Sequence, residues 1–252
     1  MERKGEPFDS VMGINCLYEL LRHAPERIVK VLALKGEVPS GRKADLIQLI
    51  KEKKIDMQWA NKELLFSYTE SDSHQGFVAL IKKRNYSDLF SFCQKLPEKA
   101  LILAVDQIYD PQNFGALLRS AECFGVSGVL WSKNRGTAIT AVVSKASSGA
   151  SEIIPLLRVS NLATTLLELQ KKGFSLLAAD ADAKAQNLLE FSFPERSVLI
   201  MGSEGEGIQP LIRKMCDHIL AIPMYGKICS LNVAQAASVC LSHWRKDLEI
   251  LS

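Results

Sequence analysis

The alternation of apolar and polar positions divides this chain into two α/β stretches. In the first, Ile14, Leu17, Tyr18, Leu20 and Leu21 recur at helical spacing and predict a helix over residues 13–23. Residues 28–34 alternate as a strand does, and Leu46, Ile47, Leu49 and Ile50 place a second helix over 42–54. Short strands are expected at 57–60 and 76–81 with a helix near 62–66 between them, and the polar run Lys82-Lys-Arg-Asn85 reads as a linker. In the second stretch, strands are expected at 100–106, 128–131, 154–157, 175–179, 197–201 and 218–223, and helices at 114–124, 162–172 and 233–246. Strands alternating with helices imply a mostly parallel sheet covered on both faces. Such sheets bind ligands beyond the carboxyl ends of their strands.

Three strand-end loops therefore hold the candidate chemistry. The first contains Asn113, placed to cap the following helix, Gly115, which permits close backbone approach, and Arg119 on an otherwise apolar helix. A guanidinium buried there needs an anion: either Glu122, three residues on, or an external phosphate or developing oxyanion. In the second loop a buried strand runs into Gly202, Gly205 and Gly207, with Glu204 among them. That spacing fits neither a P-loop nor the dinucleotide-binding glycine pattern, and its acids suit hydroxyls or a cation better than phosphate. The third loop, beginning Ile222-Pro-Met-Tyr-Gly, places both Ser230 and Asn232 before the last helix. One capping residue would suffice there, so the pair reads either as an over-capped helix or as a site for a polar cofactor or phosphate.

Composition narrows the classes. A chain of 252 residues accommodates one large domain or two modest ones, and 47% hydrophobic with 23% charged residues is ordinary for a soluble globular protein. No apolar run reaches the ~18 residues of a membrane span. The charged N-terminus has no apolar segment behind it, so a cytoplasmic protein without a signal peptide is expected. Six cysteines lie mostly in apolar runs without Cys-x-x-Cys spacing, which favours reduced, buried thiols. The four histidines are dispersed, and no metal site is expected. Residues 1–84 carry 15 Lys and Arg against 12 Asp and Glu, whereas residues 85–252 carry 16 against 16. The basic clusters at 51–54 and 82–84 read as solvated ends and linkers, or as a surface that follows a phosphate backbone.

Taken together, the loops resemble the three signature motifs of the SpoU/TrmH family of RNA ribose 2′-O-methyltransferases. Asn-x-Gly-x-x-x-Arg, Met-Gly-x-Glu-Gly-x-Gly and Ile-Pro-Met-x-Gly-x-x-x-Ser-Leu-Asn-Val match in order and approximate spacing. Met12-Gly-Ile-x-x-Leu-x-Glu-Leu-Leu21 and His74-Gln-Gly76 look like the small substrate-binding domain of the 23S rRNA (guanosine-2′-O)-methyltransferase subgroup, so the likeness covers nearly the whole chain. The resemblance implies an N-terminal α/β, ribosomal-protein-like RNA-binding domain at 1–82, a linker at 83–97 and a trefoil-knotted α/β methyltransferase domain at 98–252. It implies a homodimer with the site at the subunit interface and S-adenosylmethionine held by Gly202, Ile222 and Leu231. The implied catalytic set is Asn113, Arg119, Glu204, Ser230 and Asn232, with His74 and Gln75 on the RNA. His74 alternatively only closes its own turn. The implied substrate is a guanosine ribose of 23S rRNA or a large-subunit precursor. A tRNA ribose methyltransferase and a non-catalytic RNA-binding assembly factor remain alternatives, although the shorter tRNA enzymes usually lack the N-terminal domain.

Overall fold

The computed structural model describes residues 8–36, 38–182 and 184–250, and the chain forms two units, each built on its own sheet. One unit comprises the residues up to Asn85 together with Ala138–Ile153; the other comprises Tyr86–Thr137 and the residues from Ile154 onward.

In the first unit, strands β1 (Phe8–Met12), β2 (Ile28–Leu34), β3 (Met57–Ala60) and β4 (Phe77–Lys82) lie in the order β1-β4-β2-β3. Helices α1 (Ile14–His23), α2 (Arg42–Glu52) and α3 (Lys62–Thr69) separate the strands along the chain. The apolar stripe of α1 buries Cys16, Leu17, Leu20 and Leu21 against Val31, Leu46, Ile50 and Ala79. Strand β1 has no counterpart in the sequence reading. Its apolar residues Phe8, Val11 and Met12 do not alternate with polar ones, and it is held by pairing with β4, Met12 opposite Val78.

Residues 138–153 complete this unit. Helix α6 (Ala141–Ala146, numbered in chain order) leads to a 3₁₀ turn carrying Glu152, whose side chain is fully enclosed. Its carboxylate accepts hydrogen bonds from Arg84, from Ser144 Oγ at 2.9 Å and from Ser151 Oγ at 2.8 Å, and pairs with Arg27 at 3.1 Å. Burial would push this carboxyl up, but the Arg84 and Arg27 guanidiniums and the hydrogen bonds overcome it and hold Glu152 below the usual carboxylate range. Arg84 also donates to Ile139 O and Ser144 Oγ, both at 3.1 Å, so it is committed inside the unit.

The second unit contains α4 (Leu89–Gln94), β5 (Ala100–Val105), α5 (Pro111–Cys123), β6 (Gly128–Ser132), β7 (Leu156–Val159) and α7 (Leu162–Lys171). It continues through β8 (Ser175–Ala179), β9 (Gln186–Asn187), β10 (Arg196–Met201), α8 (Pro210–Met215), β11 (His218–Ala221) and α9 (Val233–Ile250). Its seven strands run parallel in the order β7-β6-β5-β10-β8-β11-β9. Ile102, Ala104, Leu130, Leu176, Val198 and Ile200 are buried in one apolar cluster, as continuous apolar strands in a two-faced sheet require. Strand β10 comes late in sequence yet lies between β5 and β8. After β11 the chain returns to place α9 against α5, with Ser238 Oγ 2.8 Å from Ser120 Oγ. That return is consistent with the α/β knot implied by the family resemblance.

Candidate active site

The three loops leave neighbouring strand ends. β5 and β10 are paired, Val105 opposite Met201, and β11 lies one strand beyond, across β8. Helix α5 begins at Pro111, three residues before the helical period predicts, and its cap is Asp110, not Asn113. Asp110 Oδ2 accepts from the Asn113 N–H at 2.8 Å, and proline at the first helical position supplies a preset φ and needs no N–H partner. The Asn113 side chain is thereby released for another task. Its Oδ1 accepts from Asn232 Nδ2 at 2.7 Å.

Asn232 caps α9. Its Oδ1 accepts from the Ala234 N–H at 2.9 Å, which fixes the amide orientation and turns Nδ2 toward both Asn113 and Glu204. Glu204 Oε1 accepts from Asn232 Nδ2 and from the Val233 N–H at 3.3 Å. A carboxylate in that position sits at the positive end of the α9 dipole.

The loop that carries Glu204 is a tight hairpin. Ser203 N–H donates to Gly207 O at 3.2 Å, and Gly207 N–H to Ser203 O at 3.0 Å. Gly202 makes this possible, because a Cβ there would lie 2.2 Å from the Gly207 carbonyl carbon and 2.4 Å from Ile208 N.

The sequence reading missed Asp106 and Gln209. Asp106 is fully buried at the end of β5; its two carboxylate oxygens accept from the Gln209 N–H at 2.9 Å and from Gln209 Nε2 at 2.6 Å. A lone acid terminating a wholly apolar strand is a signal that sequence alone could have flagged.

Arg119 is exposed on α5 and has no carboxylate partner among the described residues, so Glu122 does not pair with it and no burial forces a partner on it. Ser230 is also exposed and is not hydrogen-bonded to the Asn113–Asn232–Glu204 cluster; Ile222 is half-buried, and Leu231 is 36% exposed. Among the described residues, the backbone of residues 223–231 makes no hydrogen bond within the chain.

In the first unit His74 is buried and its Nδ1 accepts from the Gly76 N–H at 3.0 Å, closing its own turn. Gln75, exposed and at φ 55°, supplies a cap that α1 lacks: its Oε1 accepts from the Ile14 N–H at 3.1 Å. Burial pushes the Cys16 and Cys240 thiols up to about 12, whereas Cys123 and Cys229 are exposed, unlike the buried thiols expected. Among the described residues no cluster of His, Cys, Asp and Glu is arranged to hold a metal ion, and no helix is long and apolar enough to cross a membrane.

An all-parallel sheet whose strand-end loops lock together at a helix N-terminus defines an α/β protein with its site beyond the strand carboxyl ends. Residues 100–242 match the SpoU rRNA Methylase family, residues 10–87 match the family described as RNA 2′-O ribose methyltransferase substrate binding, and the chain belongs to the SpoU rRNA methylase family. It is 37% identical to the 23S rRNA (guanosine-2′-O-)-methyltransferase RlmB of Pasteurella multocida over 92% of this chain and 96% of that protein. The protein of the same description from Escherichia coli strain K12 is 36% identical over the same shares. In fold the chain is similar to the SpoU methyltransferase AviRb from Streptomyces viridochromogenes, crystallised with AdoMet: TM-score 0.80, 21% identity, 96% of this chain and 91% of that one. The TrmH/SpoU tRNA modifying enzyme of A. aeolicus is 27% identical with a TM-score of 0.56, over only 61% of this chain and 77% of its own.

Proposed function

We propose that this protein transfers the methyl group of S-adenosylmethionine to the ribose 2′-hydroxyl of a guanosine in 23S rRNA, acting as a cytoplasmic homodimer. The observation that carries the reading is the meeting of Asn113, Glu204 and Asn232, one from each motif loop, at the start of α9. The rRNA-modifying relatives run alongside this chain almost from end to end, N-terminal unit included, while the tRNA enzyme aligns with 61% of it. That difference favours rRNA over tRNA.

The loops fit the methyl donor. Residues 223–231 offer backbone donors and acceptors that nothing else in the chain uses, among the described residues, and the apolar side chains of Ile222 and Leu231 flank them. Gly202 lets a second backbone segment approach closely. When bound, the donor supplies an electrophilic methyl on its sulfonium. The residues of the chain align the sugar oxygen in line with that methyl, so that the oxygen–methyl bond would form as the sulfur–methyl bond breaks and the hydroxyl proton passes to water. Arg119, exposed on α5, anchors an RNA phosphate and favours the developing oxyanion; an arginine is a poor base. Glu204 is occupied by Asn232 and the Val233 N–H, so it orients the loops. Ser230, exposed before the cap, holds substrate or motif geometry, and Gln75 with the basic residues of the first unit meets RNA.

The test is incubation of the purified protein with labelled S-adenosylmethionine and either 23S rRNA or tRNA transcripts, followed by mapping of 2′-O-methyl marks. A single methylated guanosine in the rRNA is expected. Label in the tRNA alone, or in neither, overturns the assignment.

A further inference from the structure

We infer that Asp106 is a positioning residue for the methyl-transfer site: through Gln209 it clamps the glycine hairpin so that Glu204 reaches the start of α9. The inference rests on the proposed methyl-transfer reaction. It concerns a residue that touches neither substrate nor donor in that scheme.

Asp106 follows six apolar buried residues of β5 and is itself 0% exposed. A carboxylate without solvent costs free energy unless its oxygens are hydrogen-bonded, and both oxygens here are spent on one residue. Oδ2 takes the Gln209 N–H at 2.9 Å and Oδ1 takes Gln209 Nε2 at 2.6 Å. The Asp106 N–H donates to Met201 O at 2.9 Å, so the acid is also tied to the strand from which the hairpin departs. The remaining group on the Gln209 amide is occupied as well: Oε1 accepts from Arg135, beyond β6, which leaves Nε2 facing Asp106. The loops after β5, β6 and β10 are thereby joined through one amide.

The geometry gives that joint a consequence for Glu204. The hairpin is fixed at its start by Gly202, which packs against Gly207 and Ile208, and at its close by Gln209 on Asp106. Glu204 lies between those two anchors, with its carboxylate on Asn232 and the Val233 N–H. Freeing Gln209 lets the hairpin tilt on Gly202 and Gly207, the latter already at φ 67°, and draws the carboxylate off α9. Asn232 then loses a partner, and its hold on Asn113 weakens.

The test is a double-mutant cycle on the full-length protein, read as turnover on a 23S rRNA transcript at saturating S-adenosylmethionine. Asp106→Asn keeps the shape but turns an NH₂ toward one Gln209 donor; turnover is expected to fall about ten-fold or more, as loss of a hydrogen bond to a charged group predicts. Glu204→Ala should fall further, and the double variant should be no slower than Glu204→Ala alone. Gln209→Ala, which removes only the side-chain limb, should show the same non-additivity with a smaller single effect, and it decides the matter if Asp106→Asn does not fold. Additive losses, or turnover of both single variants within two-fold of wild type, overturn the inference. A purely structural role would give additive losses with a lowered Tm. Failure of the wild-type protein to methylate any RNA would instead sink the reaction on which the inference rests.

Discussion

At the scale of single residues, Arg119 is the sharpest case. It is exposed and lies outside the hydrogen-bonded cluster, so removing it should leave folding intact while taking away the RNA contact proposed for it. Arg119→Ala is expected to lower methyl transfer by about 10²-fold or more with an unchanged melting curve. Activity above about a tenth of wild type would reject the role. Glu152 makes the opposite case, a residue that matters to folding alone. Glu152→Gln leaves Arg84 and Arg27 without their carboxylate and should cost about 3 kcal/mol at neutral pH in urea titrations. Because the carboxyl is held below its ordinary 4.5, its contribution is fully present above that value and disappears as pH falls through the lowered one. The gap between the two proteins should therefore close only as pH falls through that lowered value; a gap independent of pH would contradict the ion-pair account. Asn113, Glu204 and Asn232 came from the motif resemblance, and their side chains meet in the structure. Asp106 left a signal, an acid closing an apolar strand, but its pairing with Gln209 did not, since the two lie 103 positions apart.

Among elements, long apolar runs were read well and their ends less so. Strands β2 and β3 occupy the residues that periodicity predicts, and β8 does likewise. Helix α5 was misjudged at its start because Asn113 looked like a cap; the Asp110-Pro111 pair upstream satisfies that need instead. Strand β1 escaped because its apolar residues do not alternate, and α4, α6, β9 and α8 because two to six residues do not establish a period. Strand order was beyond reach altogether. Hydrophobic alternation marks β10 as a buried strand, but nothing local says that it wedges between β5 and β8, and that placement is what sets the Glu204 hairpin beside the loop of Asn113.

For the whole molecule, the two sheets were legible from the change in pattern near residue 85, but the passage of residues 138–153 into the first unit was not. Its buried groups, Ala141, Val143, Ser144 and Glu152, lie between two expected strands of the second sheet, and no apolar period marks them as belonging to the first. Removing residues 1–85 therefore strips the Ser144 carbonyl of Cys16, and Ser144 Oγ and Glu152 of Arg84 and Arg27, as well as removing the basic third. The shortened protein is expected to elute as aggregate on size exclusion rather than as a well-behaved catalytic fragment; a monodisperse, cooperatively melting product would contradict this. The same interleaving bears on biosynthesis. The amino-terminal sheet reaches its final form only when residue 153 has emerged from the ribosome, by which time β5 and β6 have emerged ahead of it. The two halves must mature in overlapping windows, and a pause in translation between Thr137 and Ile153 would leave both of them incomplete at once.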